Sequence, residues 1–238
     1  MINEIAIGLS YISNDYLLML IAVLLYIFSK RPEHAHLIIL LLFAMVYKAL
    51  LKEILQIPAS VTSPTKYGFP SGHINFATMF FGWFMMTYRT KLLYWICPIA
   101  LALASISTIY LGYHDIYDVI LTPILPICVL AIYHIYLRKI SLGNFMLIFI
   151  IISSLCYLIS FFTLDKMPID VIVGSYGILG VSSGLCIVNR HYQYTAYILI
   201  VLTICSVINE CIRNSIWFVI FGTLPLVASK AVKNFRKN

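Results

Sequence analysis

Charge is what this sequence has least of. Only 11% of its 238 residues are Asp, Glu, Lys or Arg, and the acidic ones number nine. A soluble domain carries about a quarter charged residues, so the scarcity excludes a water-exposed globule. Alternation of apolar and polar residues is also missing. The apolar runs are continuous, which excludes the strands of a membrane barrel. The six cysteines offer no pair at metal-ligand spacing. Cys97, Cys128, Cys156, Cys186 and Cys205 fall inside apolar runs and Cys211 sits alone near a loop, so no disulfide framework is expected. Met1 to Asp15 lacks the basic start and small-residue cleavage site of a signal peptide and reads as an interfacial segment. There is no internal repeat and no low-complexity linker.

What fills the chain is hydrocarbon: 62% of its residues are hydrophobic and the mean hydropathy is +0.96. Several runs reach or approach the roughly 20 apolar residues that cross a bilayer. The expected fold is all-α, a polytopic membrane helical bundle with spans near 16–29, 35–55, 73–88, 92–111, 118–137, 143–164, 168–188, 192–209 and 214–230, nine in all. The net charge of +7 is spread through short loops and the C-terminal tail. That is a topology signal rather than a nucleic-acid footprint, and no nucleic-acid partner is expected. In a nine-span bundle Lys30, Arg31, Arg89, Lys91, Arg138, Lys139, Arg190, Lys230, Lys233, Arg236 and Lys237 share one side, eleven of sixteen basic residues. The positive-inside rule makes that side cytoplasmic and puts the 56–72 loop and the 113–117 turn on the extracytoplasmic face. His34, His36, His134 and His191 fall on the cytoplasmic side and read as loop or interfacial residues. Gly174, Gly177, Gly180 and Gly184 read as a close-packing stripe in the seventh span, or as the lining of a lipid path.

Two polar islands interrupt the apolar runs on that second face. The first is Lys66-Tyr-Gly-Phe-Pro-Ser-Gly-His73. Ser71 is placed to cap the next helix, Gly72 leaves its backbone N–H open, and His73 falls in the first turn. Free N–H groups at the positive end of a helix dipole attract an anion, and a histidine there can pass it a proton. The same residues also suit a plain helix start with an interfacial histidine. The second island runs from Ser107 to Asp118 and contains His114, four residues before Asp118. On a helical turn the two share a face. A carboxylate that accepts one imidazole N–H fixes the tautomer and frees the other nitrogen for attack. Ionisable groups beside a bilayer are costly, and that makes both islands functional candidates.

Pro70-Ser71-Gly72-His73, followed by Tyr110-Leu-Gly-Tyr-His114 and Asp118, resembles the type 2 phosphatidic acid phosphatase superfamily. The signature of that family joins a Lys, six residues and Arg-Pro to Pro-Ser-Gly-His, and then to Ser-Arg, five residues, His, three residues and Asp. The resemblance covers about residues 48 to 125. It implies that His114 is a nucleophile forming a phosphohistidine, that Asp118 orients it, and that His73 is the general acid. It implies as well that Ser71 and the Gly72 backbone bind phosphate oxygens. Both signature arginines are missing: the positions counted from Lys52 are Ala59-Ser60, and the later pair is Ser107-Thr108. A guanidinium fork is not replaced by Thr or Ala. Lys52 and Lys66 remain, either as phosphate-binding point charges or as interfacial side chains with their ammonium groups in water.

The expected protein is therefore a membrane phosphatase acting on a lipid phosphate or phospholipid, with neither metal nor cofactor. Two alternatives stand beside it. One is a phosphotransferase or phosphodiesterase moving a phospholipid headgroup, since a diester needs fewer cations to hold it. The other is a non-catalytic lipid-binding or transport member. The expected domains are a phosphatase-like core over 1–140, with the catalytic groups in spans two to five, and additional spans of unassigned role over 141–238. The oligomeric state is left open.

Overall fold

The computed structural model describes residues 2–29, 31–59, 66–164 and 167–188. They are helical: α1 (Ile2–Ser10), a 3-10 turn (Tyr11–Ser13), α2 (Asp15–Ser29), α3 (Glu33–Leu55), α4 (Gly72–Tyr88), α5 (Lys91–Tyr110), α6 (Ile116–Leu121), α7 (Ile124–Ile135), a second 3-10 turn (Leu137–Lys139), α8 (Leu142–Thr163) and α9 (Ile169–Val188). Among the described residues the β-content is one isolated bridge, Pro58 with Tyr67. Seven of the nine expected spans coincide with helices, while 192–209 and 214–230 lie outside the described residues.

Among the described residues three helical stretches are long and apolar enough to cross a membrane: Lys91–Tyr110, Ile116–Lys139 and Leu142–Thr163. The segments Ile2–Ser13 and Asp15–Ser29, bent by 44° at Asn14, make a fourth if they are one span. An integral membrane protein requires such helices. The N-terminal stretch expected to be interfacial is thus half of a bent apolar helix pair. The span expected at 118–137 is likewise broken, into α6 and α7. Pro123 has no N–H to continue the ladder, and the Thr122 N–H closes α6 on the Asp118 carbonyl at 3.1 Å. α3 is buried from His34 to Leu50 except at Met45, so its apolar run serves as core within the chain.

The described residues form two compact units, one within 1–20 and 48–139 and the other within 21–47 and 140–188. In the second, aromatic rings make the core: Phe43 meets Phe149 edge-on at 5.1 Å, and His36 lies 4.2 Å from Phe145. His34 and His36, expected in a loop or at the interface, are 1% and 7% exposed in the first turn of α3. A Cβ on Gly174 would come 2.6 Å from the Leu42 carbonyl and 2.6 Å from a Val46 methyl, so α9 approaches α3 as closely as a glycine allows.

In the first unit α4 packs against α5 and α7, and α1 with its 3-10 turn packs on α5. Ile74, Ala104 and Val119 bring α4, α5 and α6 into one small core. Helix ends are well specified here. Thr90 caps α5 through its side chain, which accepts from the Leu93 N–H. Gly112, at φ 70°, ends α5, with its N–H on Ile109 O (2.9 Å) and the Tyr113 N–H on Thr108 O (3.1 Å). That is a Schellman close. It turns the chain so that His114 follows two residues later.

Candidate active site

The first unit gathers four element ends: the C-terminus of α3, the N-terminus of α4, the C-terminus of α5 and the start of α6. The loop between α3 and α4 is pinched shut beside them. Its two legs pair through Gly68 N to Ile57 O (2.9 Å) and Ala59 N to Lys66 O (3.3 Å). This brings Tyr67 and Gly68 back over the end of α3, where the Lys52 ammonium donates to the Tyr67 carbonyl at 3.3 Å.

His114 and Asp118 are both buried, at 6% and 7% exposure, and His114 Nδ1 lies 3.6 Å from Asp118 Oδ2. Nδ1 makes no hydrogen bond. The gap is a few tenths of an ångström too long for one, and bonds of this kind tighten when a ligand binds. Burial pushes the His114 imidazole down to about 4, helped by the positive charges of Lys52, His73 and Lys48, while a backbone hydrogen bond with Gly68 works the other way. At neutral pH His114 is therefore a neutral imidazole, with Nδ1 beside the Asp118 carboxyl group. The same charges place His73 in this cluster, since Asp15, Lys48 and Lys52 all act on its ring.

Backbone approach is close on both sides of the pair. A Cβ on Gly68 would lie 2.5 Å from Asp118 Oδ2 and 3.2 Å from the Ala59 Cα. A Cβ on Gly72 would lie 3.0 Å from Lys48 Nζ. The α4 N-terminus is thus flanked by an ammonium, and its first-turn N–H groups have no partners within the helix. Ser71 occupies the N-cap position with extended backbone but makes no side-chain cap. Its hydroxyl is fully buried and unbonded. The expected capping role is corrected accordingly: the Ser71 backbone N–H goes instead to Thr122 Oγ1 at 2.8 Å, and Thr122 in turn donates to the Asp118 carbonyl at 2.5 Å. Thr122 ties the start of α4 to the helix that carries Asp118.

The remaining expected residues divide. Lys52 lies with the cluster. Lys66 is exposed, its ammonium 4.7 Å over the ring of Tyr67. Thr108, at a signature-arginine position, is 1% exposed and its hydroxyl donates to Ala104 O at 2.7 Å. Ser60 lies outside the described residues. Two groups escaped sequence reasoning. Lys48 and Asp15 form a 2.7 Å ion pair within the same unit, 33 residues apart. The signal for Lys48 was a lysine inside an apolar run, one turn before Lys52.

An apolar cavity of about 300 Å³ adjoins the site. Leu51, Phe69, Leu121, Ile124, Leu125 and Cys128 line it, and Thr122 stands between it and Ser71.

The described residues are helical, with helices long and apolar enough to cross a membrane, and they hold a buried histidine–carboxyl pair near the α4 N-terminus and the lysines of α3. Residues 26–142 match the PAP2 superfamily model, and this part of the chain belongs to that superfamily, as the motifs imply. No curated protein and no solved structure matches the chain. PAP2 membership supports phosphatase-type chemistry on phosphate esters.

Proposed function

We propose that this chain is an integral membrane phosphatase acting on a lipid phosphate through a phosphohistidine. The observation that carries the reading is the buried His114–Asp118 pair, 3.6 Å apart, beside the α4 N-terminus. His114 attacks phosphorus, forming an N–P bond as the P–O bond to the lipid alcohol breaks. His73 gives its proton to the departing oxygen. Asp118 orients the ring and stabilises the cation that develops on it. Water, deprotonated by His73, then breaks the N–P bond and releases inorganic phosphate. Lys52, Lys66, Ser71 and Gly72 bind phosphoryl oxygens, with Lys66 reaching inward from its exposed position. The adjoining apolar cavity supports a substrate with a hydrocarbon chain rather than a soluble ester. The charge distribution supports an active site on the extracytoplasmic face.

A second reading, headgroup transfer or phosphodiester cleavage, is favoured by one observation. Thr108, buried and bonded to its own helix, brings no cation where the family has arginine. Incubation of the purified protein with a lipid panel, scoring free phosphate against transferred headgroup, separates the two. His73→Ala should slow turnover about a hundred-fold or more on a poor leaving group and less on a good one. A wild-type protein that turns over no ester in the panel overturns both readings.

A further inference from the structure

The proposed chemistry leaves Asp15 unused, although its carboxylate lies at the heart of the cluster. Asp15 Oδ2 is 2.7 Å from Lys48 Nζ, and their side chains are 20% and 8% exposed. The other oxygen, Oδ1, is buried with no hydrogen bond, so the carboxylate is half satisfied. The Lys48 ammonium in turn lies against Gly72, at the α4 N-terminus where the unbonded Ser71 hydroxyl is buried. Asp15 is therefore an anion already sitting beside the place where a phosphoryl group is expected. Its segment is anchored. Asn14 Oδ1 accepts the Leu17 N–H at 3.0 Å, and the preceding helix and turn pack on α5. Asp15 also lies before the residues matched to the PAP2 superfamily, 26–142.

We infer that Asp15 selects substrate by charge: it holds Lys48 against the α4 N-terminus and competes with the phosphoryl group for the ammonium, so that singly charged phosphoryl esters are favoured over doubly charged ones. The inference rests on the proposed phosphoryl site and, of the two readings given for it, points to the diester. Beside the α4 N-terminus stand Lys48 and Lys52 as cations, Asp15 and Asp118 as anions, and a neutral His114. With Asp15 in place the two lysines are balanced, and a second negative charge on the ester has only the exposed Lys66 to meet it. Lys48 is then a binding residue whose strength Asp15 sets, and Asp15 is a positioning residue that need not touch the substrate.

The test uses the full chain in detergent, with binding of inorganic phosphate at about pH 8, where phosphate is doubly charged, and turnover of a matched alkyl monoester and diester. Asp15→Asn should tighten phosphate about tenfold and raise the monoester-to-diester ratio of kcat/KM by a similar factor, the scale of one charge-assisted bond. Lys48→Met should weaken phosphate about tenfold. In the Lys48→Met background Asp15→Asn should change neither quantity, and Asp15→Glu should keep the wild-type preference. Phosphate binding that Asp15→Asn leaves unchanged or weakens, or an equal effect on both esters, overturns the inference. If Asp15→Asn does not fold, Lys48→Met decides: binding as tight as wild type sinks the idea. Phosphate binding is read without turnover. A wild type that binds phosphate under Asp15 control yet transfers no phosphoryl group would remove the proposed function and leave this inference standing.

Discussion

The two ends of the first unit each hold a histidine among basic side chains, and they differ in what else is present. At one end His114 is buried, faces Asp118 and feels Lys52 and Lys48. At the other, His134 in the last turn of α7 accepts a hydrogen bond from Arg89 at the C-terminus of α4, with Arg138 and Lys139 nearby. The His134 lone pair at Nε2 is occupied by a guanidinium N–H, which makes that ring an anchor for a helix end. At the His114 end a carboxylate oxygen lies 3.6 Å from Nδ1, burial keeps the ring neutral, and the Ser71 hydroxyl is buried and unbonded at the start of α4. The proposed nucleophile has all three beside it, whereas the His134 lone pair is already taken by Arg89.

The largest expected effect breaks this comparison outright. His114→Ala should abolish turnover and any covalent phosphoryl labelling, whereas His134→Ala should leave the rate within about twofold, since it removes only an exposed contact. Equal losses from the two variants, measured as kcat on one substrate, would show that the difference between the ends has been misread.

Gly68 tests the carboxylate rather than the ring. A methyl there would lie 2.5 Å from Asp118 Oδ2, with the Ala59 backbone at 3.2 Å closing the other side. Asp118 must move, and displacements near 1 Å at a reacting group cost about a hundred-fold. Gly68→Ala should lower kcat by about that factor with little change in KM. Gly72→Ala should cost only severalfold, because the atom it meets is the mobile end of Lys48. Reversal of that order would mean that Asp118 is not held where it matters.

The smallest effect lies in pH. His114 must be neutral to attack, and its folded-state value is about 4 against an ordinary 6.5. Protonation therefore removes the nucleophile only as pH falls through about 4, and kcat/KM should show no acid limb from His114 near 6.5. Lys52→Met removes the positive charge that acts most strongly on that proton, so the limb should move upward by a fraction of a unit. Stability runs with the same sign. The unfolded chain binds the proton first, so the contribution of a neutral His114 is complete above pH 6.5 and declines as pH falls toward 4.

Much of this was legible from local pattern. Continuous apolar runs announced helices, and their positions over seven segments match α2 to α9, because helix formation answers to neighbours along the chain. The spacing of His114 and Asp118 announced a shared face for the same reason. Pro123 could have announced the break inside the fifth span, and Gly112 the end of α5. What the pattern carried less well was the fate of side chains whose partners are distant in sequence. Ser71 looked like a cap and instead leaves its hydroxyl unbonded, because Thr122, 51 residues on, takes its backbone N–H and fixes the α4 start in another way. Lys66 looked as well placed as Lys52, yet it stands exposed over Tyr67.

The sequence by itself determined that the chain is helical and apolar, that its two polar islands flank neighbouring helices, and that His73, His114 and Asp118 belong to a phosphatase-family pattern without its arginines. Periodicity, composition and short-range spacing are properties of adjacent residues, and nothing far away is needed to read them. Only the tertiary structure decided that His114 is buried beside Lys52, that Gly68 presses on Asp118, and that Lys48 meets Asp15 across 33 residues. Burial and charge pairing depend on which helix ends come together. That choice is made by the packing of α4 against α5 and α7, and a linear pattern does not contain it.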